Sequence, residues 1–233
     1  MERLDKLLAN TGRWSRKEAK ALIKGGRVRV DGEAPKGPEE KVPEGAVVTV
    51  DGKPIFLEKF VYIMLHKPAG LISSTDDPRG ETVLSCLPAH LRKIGLFPVG
   101  RLDKDTEGLL ILTNDGPLAH RLLAPNRHVD KLYYVEVDGA LNEEDQRVFQ
   151  KGVTLADGTQ CRPAELEILD PPSQGLVTLR EGKYHQVKRM LASRGKPVTY
   201  LKRLAMGPIS LDSSLPPGAW RPLTPAEMAL LDR

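Results

Sequence analysis

The chain has 233 residues, 40% of them hydrophobic, with a mean hydropathy of −0.33 and a net charge of +4. That length allows one large domain, or a medium domain with a small companion. No run approaches the roughly 18 apolar residues that cross a bilayer, so the expectation is a protein with no membrane partner. The start, Met1-Glu2-Arg3-Leu4-Asp5-Lys6, lacks the apolar core of a secretory signal. Cys86 and Cys161 lie far apart with no Cys-x-x-Cys and no neighbouring His, as buried free thiols of a cytoplasmic protein would. A pI near 9.0 leans towards an anionic partner.

Residues 1–52 read as a separate small unit. Leu4, Leu7 and Leu8 recur at helical spacing, and Thr11-Gly12 ends that helix. Ser15 precedes Glu18 by three residues, a capping-box signal for a second helix running to about Lys24. Ala19, Leu22 and Ile23 make its apolar stripe. Gly25-Gly26 stops it, Arg27 to Val30 alternates as a half-buried strand, and Asp31-Gly32 turns that strand. Ala46 to Val50 gives a second strand closed by Asp51-Gly52. Six cations, Arg16, Lys17, Lys20, Lys24, Arg27 and Arg29, crowd the second helix and the strand after it. Such a surface suits phosphate contacts, which give affinity and orientation without base specificity.

Residues 53–59 read as a linker, and residues 60–233 as the larger domain. Phe60 to Leu65 is a buried-type strand broken by His66-Lys67-Pro68-Ala69-Gly70, and a loop, Ser73 to Pro78, follows. The organising stretch is residues 97–116, where a polar turn, Gly100 to Gly108, runs directly into the apolar strand Leu109-Leu110-Ile111-Leu112. A carboxylate there is held by a rigid element yet open to a ligand; a solvated loop with a capping Asp is the plainer alternative. Pro117 then opens a helix bearing Leu118, Ala119, Leu122 and Leu123. Lys131 to Val137 alternates as a strand, and a polar helix spans Asn142 to Lys151. Strands at 164–169 and 175–180 lead into a turn and a basic helix, Glu181 to Leu191. One more strand and a short helix beginning at Thr224-Pro225 complete the chain. Strands and helices mix without regular βαβ alternation, which predicts an α+β fold with a mixed, mostly antiparallel sheet and flanking helices.

Several common chemistries are excluded. There is no GxGxxG, no phosphate-binding loop before Lys183, no metal-ligand spacing among the five His, and no G-x-S-x-G elbow. Asp103-x-Asp105-Thr106 lacks the residue that a haloacid-dehalogenase-type phosphatase motif has between its second Asp and the Thr, and it precedes its strand where that motif follows one. What remains is a carboxylate beside a sheet, several cations and a paired aromatic, Tyr133-Tyr134. Joined to a small unit whose cations suit phosphate contacts, this set points to chemistry on a nucleic-acid base or ribose. Flipping a base out of its stack costs a few kcal/mol, and an aromatic platform worth about 1–3 kcal/mol per base offsets part of that.

Two resemblances give these residues roles. RLDKLLANTGRWSRKEAKALIKGGRVRVDG resembles the small αL RNA-binding module of ribosomal protein S4. GRLDKDTEGLLILTNDG, KLYYVEV and EGKYHQVKRM resemble the three sequence blocks of the RNA pseudouridine synthases. LKRLAMGPISL and PPGAWRPLTPAE are similar to the ending of its RsuA branch. The departures are small: His66 stands where many members have Asn, and Lys188 where many have Arg.

The resemblance implies the pseudouridine synthase fold, with Asp103 as the catalytic carboxylate and Tyr133 stacking on the uracil. It also implies that Lys188 pairs with Asp103, while Tyr134 points to the opposite sheet face. Arg101, His185, Gln186 and Arg189 are then expected on RNA, together with the six cations of the small module. The family reaction breaks the glycosidic bond, rotates the uracil and rejoins it through ring carbon five, by nucleophilic attack of the Asp or through a glycal. Neither route needs a metal, nucleotide or redox cofactor. The absence of a long basic tail, with the SSTDDP and GVTLADGTQCRPAELEIL segments, points to a uridine in 16S rRNA. A 23S rRNA site, or a non-catalytic ribosome-assembly factor, are the alternatives. A cytoplasmic monomer is expected.

Overall fold

The computed structural model describes residues 2–11, 13–43, 45–55, 60–124 and 129–231. The chain divides into two units, Met1–Val61 with Leu87–Phe97, and Tyr62–Cys86 with Pro98–Arg233.

The first unit contains strand β1 (Glu2–Arg3), helices α1 (Leu4–Asn10) and α2 (Arg16–Lys24), strands β2 (Val28–Val30), β3 (Lys41–Val42), β4 (Val48–Val50) and β5 (Lys53–Ile55), and helix α3 (Ala89–Arg92). The expected capping box starts α2: Glu18 N–H donates to Ser15 Oγ at 3.2 Å, and Ser15 N–H donates to Glu18 Oε2 at 2.6 Å. Two donors that a helix start leaves orphaned are thereby satisfied. Leu4, Leu7 and Leu8 of α1 and Ala19, Leu22 and Ile23 of α2 bury their stripes against Val28, Val30, Val48 and Val50. Asp5 is fully buried and ties the two helices together. It accepts from Arg3 Nε and Nη2 at 3.0 and 2.9 Å, with Arg16 and Lys20 each 3.9 Å away. The Arg3 hydrogen bond, above all, holds the Asp5 carboxyl below its ordinary range.

One element corrects the sequence reading. Lys53–Ile55, placed in a linker, is instead strand β5, paired antiparallel with β4. Asp51 and Gly52 have φ of 52° and 75°, the positive pair of a two-residue hairpin turn, so this Asp-Gly joins two strands where it was read as closing one. Pro54 is tolerated because β5 lies at the sheet edge, and Ile55 is buried in the unit's core. Residues 56–59 of the expected linker lie outside the described residues.

The second unit is built on strands β6 (Tyr62–Lys67), β8 (Glu107–Thr113), β9 (Lys131–Val137), β10 (Glu165–Ile168), β11 (Gln174–Leu179), β12 (Val198–Met206), β13 (Ile209–Ser210) and β14 (Trp220–Pro222), with β7 (Phe97–Pro98) where the chain passes between units. Its helices are α4 (Gly116–Leu123), α5 (Glu143–Lys151), α6 (Gln186–Ala192) and α7 (Pro225–Leu231). The sheet runs β10-β11-β9-β12-β8-β6-β14, with β13 beside β12. Among these pairs β12–β8 is parallel and the others are antiparallel, so the sheet is mixed and mostly antiparallel, as expected.

Burial explains the strand patterns. Leu109 to Leu112 in β8 are all sealed, as an unbroken apolar run in a central strand requires. In β9, Tyr133, Val135 and Val137 are buried while Leu132, Tyr134 and Glu136 are half-buried, the two-residue alternation of a sheet with one packed face. The packed face meets Phe149 of α5 and Val187, Met190 and Leu191 of α6. The parallel β12–β8 seam is two residues long, Lys202 opposite Glu107 and Arg203 opposite Gly108. Gly108 has φ of +107°, and a Cβ there would collide with the Arg203 backbone, so no other residue fits this approach without rearrangement. Strand β6 also runs two residues past its expected end at Leu65, through His66 and Lys67, both buried.

Candidate active site

Residues 101–106 form the loop that leads into β8, and five hydrogen bonds with Ser73, Gly70 and Lys67 pin it. Ser73 Oγ donates to the Leu102 carbonyl at 2.8 Å and accepts from Leu102 N–H at 3.1 Å. Gly70 N–H donates to the Lys104 carbonyl at 2.7 Å. Lys67, at the end of β6, donates from Nζ to the carbonyls of Lys104 at 3.1 Å, Thr106 at 2.8 Å and Pro68 at 3.0 Å. Within the loop, Thr106 N–H closes a turn on the Asp103 carbonyl at 3.1 Å. Desolvation pushes the Lys67 ammonium down to about 8, against the opposing pull of Asp105, Asp103 and Glu107. A backbone held at this many points can keep a side chain within the tolerances that catalysis demands.

The pinned loop presents Asp103, whose side chain is about a quarter exposed. Lys188 Nζ, from α6, lies 3.3 Å from Asp103 Oδ2, and His185 Nε2 lies 3.6 Å from Oδ1. Lys188 makes its shorter contact, 2.6 Å, with Asp105 Oδ1. That hydrogen bond is the main cause holding the Asp105 carboxyl below its ordinary range. One cation therefore serves two carboxylates, where the sequence reading gave it a single partner.

Tyr133 is buried on the packed face of β9. It shares a cluster with Leu102 and Val187, the residues just before Asp103 and Lys188. Its hydroxyl is not among the sealed polar atoms that lack a partner among the described residues, which are His66 Nε2, Thr106 Oγ1 and Arg203 Nη2. Tyr134 takes the opposite face, where its hydroxyl donates to Glu136 and its ring meets Tyr200 edge-on at 6.1 Å. Asp103, Lys188 and His185 thus converge, while Tyr133 lies in the buried cluster that holds Leu102 and Val187. Arg101, two residues before Asp103, is exposed.

Two expected RNA contacts need revision. Gln186 is buried, not presented to a ligand: its amide donates to Glu181 at 2.6 Å and its carbonyl oxygen accepts from Lys183 N–H at 2.9 Å. A residue expected on RNA thus instead closes the turn before the helix. Arg189 is committed in part to Asp157, at 2.5 Å, and to the Tyr184 carbonyl, at 3.4 Å. Sequence reasoning missed Lys67, Ser73 and Asp105. The single hint was Lys67 itself, a cation at the end of an apolar run.

In the first unit, Arg16, Lys17, Lys20, Lys24, Arg27 and Arg29 are all exposed. Arg27 pairs with Asp51 at 2.5 Å, while Arg16 and Lys20 lean on Asp5. Lys17, Lys24 and Arg29 have no acidic partner within salt-bridge distance among the described residues, which leaves their charge available to an anion.

Comparison with known proteins agrees with this construction. The RNA pseudouridylate synthase family model matches residues 61–193, more than half of the chain, and the S4 domain model matches residues 2–48. An uncharacterized RNA pseudouridine synthase of Bacillus subtilis is 48% identical over 99% of this chain and 98% of its own. A ribosomal small subunit pseudouridine synthase A of Pseudomonas aeruginosa is 42% identical over 97% of this chain and 98% of its own. A crystal structure of a pseudouridylate synthase superimposes with a TM-score of 0.71 at 35% identity, covering 99% of this chain and all of that one. Fold and family together define an RNA-modifying isomerase on a mixed sheet. The chain belongs to the RNA pseudouridine synthase family, and to those members that carry an N-terminal S4 domain.

Proposed function

We propose that this chain converts one uridine of 16S ribosomal RNA to pseudouridine, acting as a monomer in the cytoplasm. The observation that carries the reading is the Asp103 carboxylate on its pinned loop, flanked by Lys188 and His185, with the adjacent Leu102 packed in the same buried cluster as Tyr133. The small-subunit target is supported by relatives named ribosomal small subunit pseudouridine synthase A, 41–42% identical over 97% of the chain.

In this reading the exposed cations of the first unit hold the RNA backbone and the second unit does the chemistry. Ionised Asp103 either attacks ribose C1′ as the bond to uracil N1 breaks, or removes the 2′ proton to leave a glycal. The uracil, held against the Tyr133 ring, rotates and forms the C5–C1′ bond, as the bond from C1′ to Asp103 breaks in the first route or as C2′ takes back its proton in the second. The C5 hydrogen then leaves as a proton while N1 gains one, so the reaction is an isomerisation with no net loss of atoms. Lys188 balances the charge of Asp103, and Tyr133 is placed to help move the C5 proton.

Asp103→Asn keeps the side chain's shape and removes its charge. It should abolish tritium release from 16S rRNA labelled at uridine C5 while leaving RNA affinity within a few-fold. Full residual activity would move the catalytic role elsewhere. Mapping pseudouridine in rRNA from cells lacking the protein tests the target: loss at a large-subunit position would overturn the 16S assignment, and loss at none would favour an assembly factor.

A further inference from the structure

Beside the carboxylate stands a side chain that the chemistry above does not use. Tyr184 is the most exposed of the large apolar side chains among the described residues, at 75%. One face of its ring is stacked on the His185 imidazole, with centroids 3.8 Å apart and planes 18° from parallel. The edge of that imidazole reaches Asp103, so His185 lies between the tyrosine and the carboxylate. The other face of Tyr184 is open.

The backbone around this ring is fixed. His185 adopts a left-handed conformation, φ 47° and ψ 37°, which a non-glycine residue holds only when its surroundings impose it. Gln186 locks the turn by bonding Lys183 N–H and Glu181, and Arg189 holds the Tyr184 carbonyl. A rigid main chain thus offers an aromatic face to solvent at the rim of the site. The nearby cations are largely spoken for: Lys183 pairs with Glu181, Lys188 with Asp105 and Asp103, and Arg189 with Asp157. What the rim has to offer is therefore a flat apolar surface, with its charges already balanced.

We infer that Tyr184, backed by His185, is a stacking platform for an unpaired nucleobase flanking the target uridine. The inference rests on the reading that an RNA uridine reaches Asp103, and it adds that the neighbour must be unstacked too. Every base has a π-face, so the platform selects single-stranded RNA without selecting a sequence. The target then lies in a loop, bulge or open strand.

The test compares wild type, Tyr184→Ala and Tyr184→Phe as full chains, in two arms. In the first, a nine-nucleotide oligouridylate carrying 2-aminopurine at each position in turn is titrated across a salt series. Tyr184→Ala should weaken binding by about 5- to 140-fold, the range that loss of one base–aromatic stack gives. It should remove the fluorescence quenching seen at one position and leave the logarithmic salt slope unchanged, since no phosphate contact is lost. Tyr184→Phe should restore both affinity and quenching. In the second arm, on 16S rRNA labelled at uridine C5, Tyr184→Ala should raise KM with little change in kcat. Wild-type affinity and quenching in Tyr184→Ala would overturn the platform. So would a changed salt slope, or a loss confined to kcat, which would make Tyr184 a positioning residue acting through His185. If wild type itself releases no tritium from rRNA, the catalytic reading fails, while the oligonucleotide arm still decides the stacking.

Discussion

Replacing Lys67 with Met separates the stability of the fold from the order of the loop that carries Asp103. The side chain is fully buried and donates to three carbonyls, and Met matches its length without donors. The Lys104 carbonyl keeps Gly70 N–H as a partner, so two carbonyls, Pro68 and Thr106, lose this donor. At about 1–3 kcal/mol for each buried unpaired group, the loss is about 2–6 kcal/mol. Against it stands relief from burying an ammonium: the fall from 10.5 to about 8 corresponds to about 3 kcal/mol of disfavoured charge. The net effect lies between about −1 and +3 kcal/mol, a drop of at most about 12 °C in Tm for a chain of this size. The loop fares worse, because Lys67 joins Lys104 to Thr106 immediately after Asp103. A displacement of about 1 Å at that carboxylate lowers turnover by about 10²-fold. Tritium release at saturating RNA, with Tm measured on the same samples, checks this. A large fall in Tm with normal kcat in the remaining folded protein would show that Lys67 serves the fold alone.

Further outcomes follow from the same contacts. The Lys67 value in the fold lies below its value in the unfolded chain, so the unfolded state holds the proton longer, and this group adds stability as pH rises from about 8 to 10.5. Activity should move the other way, since a neutral amine has two N–H groups for three carbonyls. The stability difference between wild type and Lys67→Met should therefore grow over that window while wild-type kcat falls near pH 8, and a flat difference would refute the assignment. Lys188→Met should lower kcat by about 10²-fold or more. Asp105→Asn, which leaves Lys188 beside Asp103, should stay within about tenfold of wild type, and equal losses in the two variants would mean that Asp105 is needed for the reaction itself. Reversing Lys17, Lys24 and Arg29 to Glu should reduce the logarithmic salt slope of RNA binding by about 2–3, at about 0.7–0.9 per lost phosphate contact. An unchanged slope would make that surface merely solvated.

The legible features were those whose cause is local. Ser15 and Glu18 announce α2 within four residues, and Asn142 caps α5 in the same way. The alternation of β9 marks which tyrosine faces inward. What escaped notice depends on partners far along the chain. Lys67 is buried by a loop almost forty residues later, and Ser73 gains its purpose only when Leu102 arrives. Gln186 was expected on RNA because nothing in its own helix shows that Glu181 takes its amide. β5 was missed because Pro54 argues against a strand everywhere except at an edge. Asp103, Tyr133, Lys188 and His185 were singled out by resemblance, and the approach of Lys188 and His185 to Asp103 is a matter of tertiary geometry that spacing alone does not contain.

The two-residue seam between β12 and β8 has a mechanical meaning. The loop bearing Asp103 feeds straight into β8, while Tyr133 rides on β9, which is laced to β12 along its length. The seam at Gly108 is therefore one of the links between the strand behind the carboxylate and the strands that carry the ring, beside the Tyr200–Glu107 and Arg203–Leu109 hydrogen bonds. A slip of a single residue there would carry the two halves of the candidate site out of step while leaving each intact, which makes this glycine an alignment pin between them.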